Sequence, residues 1–312
     1  MLIVHVALLA LLWVLQFVLP PFHHGMVARI LVLAAYAIGY NVLLGYTGLM
    51  SLGHAMFFAA GVYGAGLLVY YSAAGAVSGL LAGVLAGLGL AVILGLLSLR
   101  TTGATFLLVT MMFGQVGYLL TLYFNRITLG DQGLILSGRL EPLRVGAIDV
   151  TLSNPAVRFN AALLIFGLCL LLSLWLARSP VGRVLVAIRE NEERTRMLGY
   201  DTFRYKLFAL VLSGGICSLS GAAYALLFAY VGNTFASILY SIYPLLWTLL
   251  GGAGTTFGPL AGTALMSYAI DVASGLTSAY LMVVGLVLVV TILWFPSGIV
   301  GSLRARRWRW LP

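Results

Sequence analysis

The sequence has 312 residues, of which 62% are hydrophobic and only 8% charged, and its mean hydropathy is +1.07. Water-soluble domains carry about 25% charged residues, so this composition excludes a soluble globular protein. The apolar residues come in runs of about 20 separated by short polar breaks, which is typical of membrane-spanning helices. We therefore expect an all-α polytopic membrane protein in which residues 1–312 form a single transmembrane domain.

Several chemistries are excluded by residue content. Lys206 is the only lysine and is followed by Leu207, so the chain lacks the Gly-Lys-Ser/Thr motif of a phosphate-binding loop, and any ATP must be bound by another subunit. Cys169 and Cys217 lie inside apolar runs without a paired spacing, which favours small core residues over a disulfide or a metal site. The four histidines show no metal-ligand spacing either. We expect no catalytic residues, no metal and no cofactor. The net charge of +9 needs no nucleic acid as partner if the charges lie at the surface of a lipid bilayer.

The apolar runs predict about ten transmembrane helices, within a range of 8–10. We interpret the first run as a retained span, because no basic residue precedes it and no small-residue cleavage site follows it. In chain order the runs cover residues 1–19, 28–46, 50–71, 77–99, 103–124, 160–177, 207–231, 239–254, 256–275 and 279–298.

The basic residues predict the orientation. With the N-terminus in the cytoplasm, twelve of the seventeen basic residues lie inside and five outside, which is the asymmetry expected of a bundle with both termini cytoplasmic. The segment from Arg304 to Trp310 contains four arginines and two tryptophans and is interpreted as an interfacial anchor for anionic headgroups.

Two polar segments are long enough to have a role. Residues 125–158 lie outside in this topology and either meet a soluble partner or cap the bundle. Residues 178–206 lie inside and concentrate seven basic and four acidic residues. There, Ser179-Pro180 predicts a helix start and Gly199 a C-cap, with a helix from Val184 to Leu198. We expect one side of it to carry Ile188, Thr195 and Leu198. The spacing alone leaves a docking element and a solvated loop both open.

Glycine-rich breaks interrupt the spans twice, over residues 41–63 and 251–259. Irregular backbone in a membrane is tolerated where it is buried in protein or lines a cavity, so a pathway wall and close helix packing both fit. Both breaks lie on the inner side, which does not fit a simple inverted repeat. The residues we assign to a translocation pathway are Asn41, Gly45, Gly48, Ser51, Gly53, His54, Gly251, Gly252, Gly254 and Gly258.

These segments together resemble a known family. The runs 41–63 and 251–259, the inner motif Ser179-Pro-Val-Gly-Arg183, and Leu198-Gly-Tyr200 occur in the order found in permease subunits of branched-chain amino acid ABC importers, on the LivM side of the LivH/LivM family. The resemblance implies a multi-pass permease of the bacterial inner membrane that is not itself an enzyme. It also implies three kinds of partner, namely a homologous second permease, two cytoplasmic ABC ATPase subunits and a periplasmic substrate-binding protein. Known members carry branched-chain amino acids, urea or short amides, and aromatic or other organic acids.

The resemblance also assigns the inner segment to the coupling helix that inserts into the ATPase. The coupling residues it implies are Arg189, Glu190, Glu192, Glu193, Arg196, Leu198 and Gly199. The chain departs from the family pattern at two places. Thr195-Arg196 stands where small alanines are usual, and Gln115 stands where a glutamate commonly follows the glycine that is Gly114 here.

An ion-coupled secondary transporter of a small organic solute is the alternative function. Ion coupling normally needs buried carboxylates, and Asp271 is the only acid within a predicted span. It lies about four residues from the outer end of its run, so an interfacial or packing role is favoured over a pathway role. If a binding protein selects the substrate, we expect no pocket of charged residues within the bundle.

Overall fold

The computed structural model describes residues 2–72, 74–139, 143–145, 148–152, 154–277, 279–295 and 297–306. Each of the ten predicted apolar runs contains a helix. These helices are α1 (Leu2–Val18), α2 (Pro21–Thr47), α3 (His54–Ser72), α4 (Ala76–Ser98), α5 (Gly103–Tyr123), α7 (Pro155–Arg178), α10 (Thr202–Phe228), α11 (Ile238–Gly251), α12 (Gly258–Leu276) and α13 (Tyr280–Trp294).

Short elements connect these helices. They are α6 (Asn125–Thr128), α8 (Pro180–Glu190), α9 (Glu192–Met197), a 3-10 turn over Asn233–Ala236, and α14 (Ile299–Arg306). The segment 125–158 also contributes three short strands, so the polar segment is not helical throughout. Of these, β1 (Leu134–Ile135) pairs antiparallel with β4 (Tyr230–Val231), and β2 (Leu143–Val145) pairs antiparallel with β3 (Ile148–Val150).

Six helices of the described chain are long and apolar enough to cross a membrane, namely α2, α3, α4, α5, α7 and α10. The other four helices do not reach that criterion. For example, α11 has 14 residues, and a rise of about 1.5 Å per residue makes it shorter than the hydrocarbon core of about 30 Å. The end of the predicted C-terminal anchor, from Arg307 to Trp310, lies outside the described residues.

Helix α2 is the centre of the bundle, with 94% of its apolar stretch buried. It packs against α7, α10, α11 and α12. A second tight group consists of α3, α4 and α10, where glycines permit close approach. A methyl group at Gly61 would overlap the carbonyl of Ser218, and one at Gly221 would overlap that of Phe58. Small residues are what let membrane helices pack this closely.

Segments that the sequence places on one side of the membrane lie together. At the predicted inner end, His5 near the start of α1 bonds Thr256 beyond α11, with 3.0 Å between His5 Nε2 and Thr256 Oγ1. At the predicted outer end, Asn160 in α7 donates to Gln16 in α1 at 3.0 Å. Helices α1 and α7 therefore run in opposite directions, and Gly167 near the middle of α7 lies beside Leu9 near the middle of α1.

Candidate functional site

The two glycine-rich breaks meet at the C-terminal end of α2. The side-chain amide of Asn41 joins them, because its Oδ1 accepts from the Gly254 backbone N–H at 2.8 Å and its Nδ2 donates to the Thr255 carbonyl at 2.9 Å. Asn41 is fully buried, and both the oxygen and the nitrogen of its side-chain amide form hydrogen bonds. The break after α11 is thus fixed to the last turns of α2 by a polar contact within the bundle.

Glycine is required at this junction because the two backbones are in van der Waals contact. A methyl group at Gly45 would lie 2.5 Å from the Gly254 nitrogen, and one at Gly251 would overlap the Gly258 carbonyl. Gly252 and Gly254 have φ of +118° and +77°, values that other residues rarely adopt. Larger side chains would therefore force the two breaks apart.

Arg189 connects this junction to the polar segment 178–206. Its Nη1 donates to the carbonyl of Gly45 at 2.6 Å, and that carbonyl is one of the last in α2, which have no partner within the helix. Its side chain also lies over Gly48, where an added methyl would come within 2.8 Å of Arg189 Cγ. Gly48 itself is exposed and caps α2 with φ of +73°.

The other residues assigned to the pathway make contacts within the chain. Tyr40 donates its hydroxyl hydrogen to the Ser51 carbonyl at 3.0 Å, and the Gly53 N–H donates to Ser51 Oγ at 3.2 Å. His54 is fully buried, with Nε2 2.9 Å from Ser213 Oγ. Ser51 and Gly53 lie in the connection between α2 and α3, and His54 begins α3, so all three make contacts within the chain. Their role in lining a pathway stays a prediction.

The polar segment 178–206 contains the two short helices α8 and α9, so the prediction of one helix from Val184 to Leu198 is wrong. The start is as expected, because Ser179 Oγ accepts from the Gly182 N–H at 3.0 Å. The helix then breaks at Asn191, whose side chain accepts from the Arg194 N–H at 2.9 Å and caps α9. The missed signal is an Asn followed by two glutamates, a typical first turn.

The turn after α9 exposes apolar side chains. Met197 and Leu198 are 86% and 72% exposed, and Gly199 ends the helix with φ of +89°. The prediction that Leu198 shares one helix side with Ile188 and Thr195 is therefore wrong, because Ile188 and Thr195 are buried and Leu198 is exposed. We call Met197 and Leu198 the apolar tip. Glu190, Glu193, Arg194 and Arg196 lie exposed around it.

An ion pair fixes α9 to α10. Lys206 is only 4% exposed, and its Nζ lies 2.7 Å from Glu192 Oε1. Arg196 and Thr202 also donate to that oxygen, at 3.2 and 3.1 Å. Burial raises the pKa of Glu192, but the hydrogen bond and positive charge of Lys206 outweigh it, so the pKa lies below its ordinary value. Glu192 is therefore a positioning residue, and it holds the apolar tip in place.

Helix α5 has unusually little contact with the rest of the chain. Only 17% of its apolar stretch is buried, and the amide of Gln115, near its middle, is exposed. An amide without a partner in hydrocarbon costs several kcal/mol, so this face is suited to a protein partner or to water rather than to lipid. Sequence reasoning singled out Gln115 only as a departure from the family.

The expectation that the bundle holds no charged pocket is wrong. Asp271 is exposed on α12 and lines a cavity that Arg29 on α2 also lines. The sequence analysis counted Arg29 only among the basic residues of the predicted outer side. Its proximity to Asp271 could not be predicted, because residues so far apart in the chain form no common motif.

These features define a class of protein. The bundle of apolar helices is that of a multi-pass membrane protein, and the glycine junction tied to a charged segment at one end is suited to a transport subunit. Residues 24–293 match the family described as branched-chain amino acid transport system / permease component. The chain belongs to this family, whose members are permease components of ABC transporters and are not themselves catalytic.

Individual relatives agree with that assignment. The chain is 30% identical over 287 residues to the high-affinity branched-chain amino acid transport system permease protein LivM of Escherichia coli (strain K12), covering 86% of this chain and 67% of that protein. It is 32% identical over 88 residues, or 28% of this chain and 26% of the relative, to a probable LivM of Methanocaldococcus jannaschii. The autoinducer 2 import system permease protein LsrC of Salmonella typhi is 29% identical over 110 residues, covering 32% of this chain and 30% of LsrC. No solved structure matches the chain significantly.

Proposed function

We propose that this chain is one permease of a two-permease ABC importer in a bacterial inner membrane, crossing it about ten times with both termini in the cytoplasm. Two cytoplasmic ATPase subunits drive it, and a periplasmic binding protein delivers the solute. That solute is a branched-chain amino acid or a related small polar molecule, in keeping with the names of the LivM and LsrC relatives. Family membership favours this function over an ion-coupled transporter.

The observation that carries the proposal is the geometry of the α8–α9 segment. Its apolar tip, Met197 and Leu198, stands out from a charged surface at the same end as both glycine breaks. Two neighbouring exposed apolar side chains on a charged segment would be stabilised by burial against a protein partner. An ATPase groove that buries these two side chains would be held at that end of the bundle.

Arg189 supplies the link from docking to transport. It belongs to α8, and it contacts the α2 end at Gly45 and the second break, where an added methyl at Gly254 would lie 3.2 Å from its Nη1. Movement of the docking segment is therefore passed to both breaks at once. The mechanism that follows is alternating access, in which ATP-driven closure of the ATPases tilts α2, α11 and α12.

The second permease is placed against α5 in this proposal. The exposed amide of Gln115 near the middle of that helix needs a partner or water, and a passage between two permeases offers both. Changing Gln115→Leu should leave the chain inserted and lower the transport rate. An unchanged transport rate would show that the passage does not run along this face of α5.

The test of the docking segment replaces the apolar tip. Met197→Asp and Leu198→Asp should leave the thermal stability of the purified permease unchanged, because both side chains are exposed, and should reduce copurification of the ATPase subunits about tenfold or more. Leu303→Asp, at another exposed apolar position in α14, is the matched control. Full ATPase retention by both tip variants would refute the docking assignment.

A transport assay separates the two functions. Uptake into liposomes holding the complete complex should require ATP and should continue after ionophores dissipate the ion gradients. Uptake that follows the gradient without ATP would instead establish the ion-coupled transporter.

A further inference from the structure

A cavity of about 440 Å³ lies between α2, α11 and α12, mostly along their predicted outer halves. Its volume falls within the range of about 300–1,000 Å³ found for small-molecule sites. Arg29 lies eight residues after the start of α2, and Asp271 five residues before the end of α12, so both charges lie within about 12 Å of the outer helix ends. The cavity is thus near the side from which an importer receives its solute.

The two charges in this cavity are opposite and are not joined to each other. Among the described residues, no nitrogen of Arg29 lies within 4.0 Å of an Asp271 oxygen. The Arg29 guanidinium is instead near the hydroxyl of Tyr224, on the neighbouring helix α10. A charge on a membrane-spanning helix costs several kcal/mol unless it is compensated. Two separated opposite charges in one cavity can both be compensated by a dipolar molecule between them.

The remaining wall is largely aromatic and apolar. Trp247 and Tyr243 contribute aromatic rings, and Trp247 is only 4% exposed. Ile30, Leu33 and Ile270 supply the apolar part of the wall.

We propose that this cavity is a binding station for a zwitterionic α-amino acid with an apolar side chain, within the permease itself. Arg29 binds the carboxylate, Asp271 binds the ammonium group, and the side chain lies against the aliphatic wall. Arginine suits this role because its planar guanidinium can hold both carboxylate oxygens. The station rests on the proposed import function and gives the permease a selectivity of its own, beyond that of a binding protein.

The experiment measures occupancy of the cavity by protection of a cysteine. Ser274 is exposed and lines the cavity, while the native Cys169 and Cys217 are fully buried, so Ser274→Cys gives one reactive thiol. The complete complex in liposomes is labelled from outside with a membrane-impermeant maleimide. L-leucine at about ten times its Kd should slow labelling about tenfold.

Two analogues and two variants identify the groups. Isocaproate lacks the ammonium group of leucine and isopentylamine lacks its carboxylate, so both should protect at least about tenfold more weakly. Arg29→Gln and Asp271→Asn should each weaken protection by leucine by at least the same factor. Isocaproate has no ammonium group for Asp271 to bind, so it should protect the Asp271→Asn variant as well as it protects the chain with Asp271. Arg126→Gln, which removes another exposed charge of the predicted outer side, should leave protection unchanged.

The outcomes separate this proposal from the function on which it rests. If the complex imports leucine with ATP but leucine does not slow labelling, the station is refuted and the importer stands. Equal protection by leucine and isocaproate, or a Ser274→Cys thiol that does not react from outside, also refutes the station. Failure to assemble with ATPase subunits would instead refute the importer.

Discussion

The contact between Arg189 and the end of α2 gives the sharpest prediction. Replacing Arg189 with Met keeps an unbranched, apolar side chain over Gly48 but removes the guanidinium that donates to the Gly45 carbonyl at 2.6 Å. We expect the permease to fold, insert and bind its ATPases, because the apolar tip is unchanged. ATP hydrolysis should then continue with less transport.

The magnitude follows from the lost interactions. A hydrogen bond to a charged group contributes about 1.5–3 kcal/mol, and a cation at a helix C-terminus about 0.3–1 kcal/mol. The Arg189 side chain is 37% exposed, and its Nη2 also forms an ion pair with Glu190 Oε1 at 3.0 Å. Because solvent and this ion pair weaken the interaction, we take about 1–2 kcal/mol for the contact between Arg189 and the Gly45 carbonyl. That corresponds to a fall of about 5- to 30-fold in solute moved per ATP hydrolysed.

The assay measures uptake and phosphate release together in liposomes containing the complete complex. Arg183→Met is the matched control, because Arg183 is an exposed arginine of the same helix α8. The control should keep the wild-type ratio of solute to ATP. If Arg189→Met also keeps that ratio, or if it loses its ATPases altogether, Arg189 does not transmit movement and the reasoning is wrong.

Two further predictions concern stability. Glu192→Gln leaves the buried Lys206 charge without its counter-ion and should lower the free energy of unfolding by about 2 kcal/mol, measured by thermal denaturation at pH 7. Because the Glu192 pKa is lowered in the folded chain, the ion pair stabilises the fold fully at any pH above the ordinary glutamate pKa. This stabilisation is lost as the pH falls through the lowered pKa. An equal loss of stability on mutation at pH 7 and at pH 3 would contradict this. Gly45→Ala should reduce the yield of folded protein, because the added methyl has no room beside Gly254, whereas Gly25→Ala in the same helix meets open space and should be tolerated; equal yields would disprove the close contact.

The helices could be predicted from the sequence because a membrane requires long apolar runs. All ten runs contain a helix, and their ends differ from the prediction by a few residues where polar residues extend a helix beyond the apolar core, as in α2 and α10. The helix start at Ser179 and the stop at Gly199 were predicted from local cap chemistry, which depends only on neighbouring residues.

The arrangement of the candidate site could not be predicted in the same way. Arg189 meets Gly45 across 144 positions of the chain, and Asn41 reaches Gly254 across 213. Such contacts depend on how the helices pack, about which residue spacing says nothing. The sequence identified both glycine breaks and the charged segment as special, but not that the three meet at one end of α2.

The burial of Lys206 has a practical consequence for following this protein at work. It is the only lysine of the chain, and its amine is held by Glu192. Amine-directed reagents should therefore leave its side chain unmodified while α9 is seated on α10. A lysine adduct would appear only when that ion pair opens, so the native chain carries a chemical sensor of the docking segment, and the labelling rate through an ATP cycle would show whether α9 lifts from the bundle.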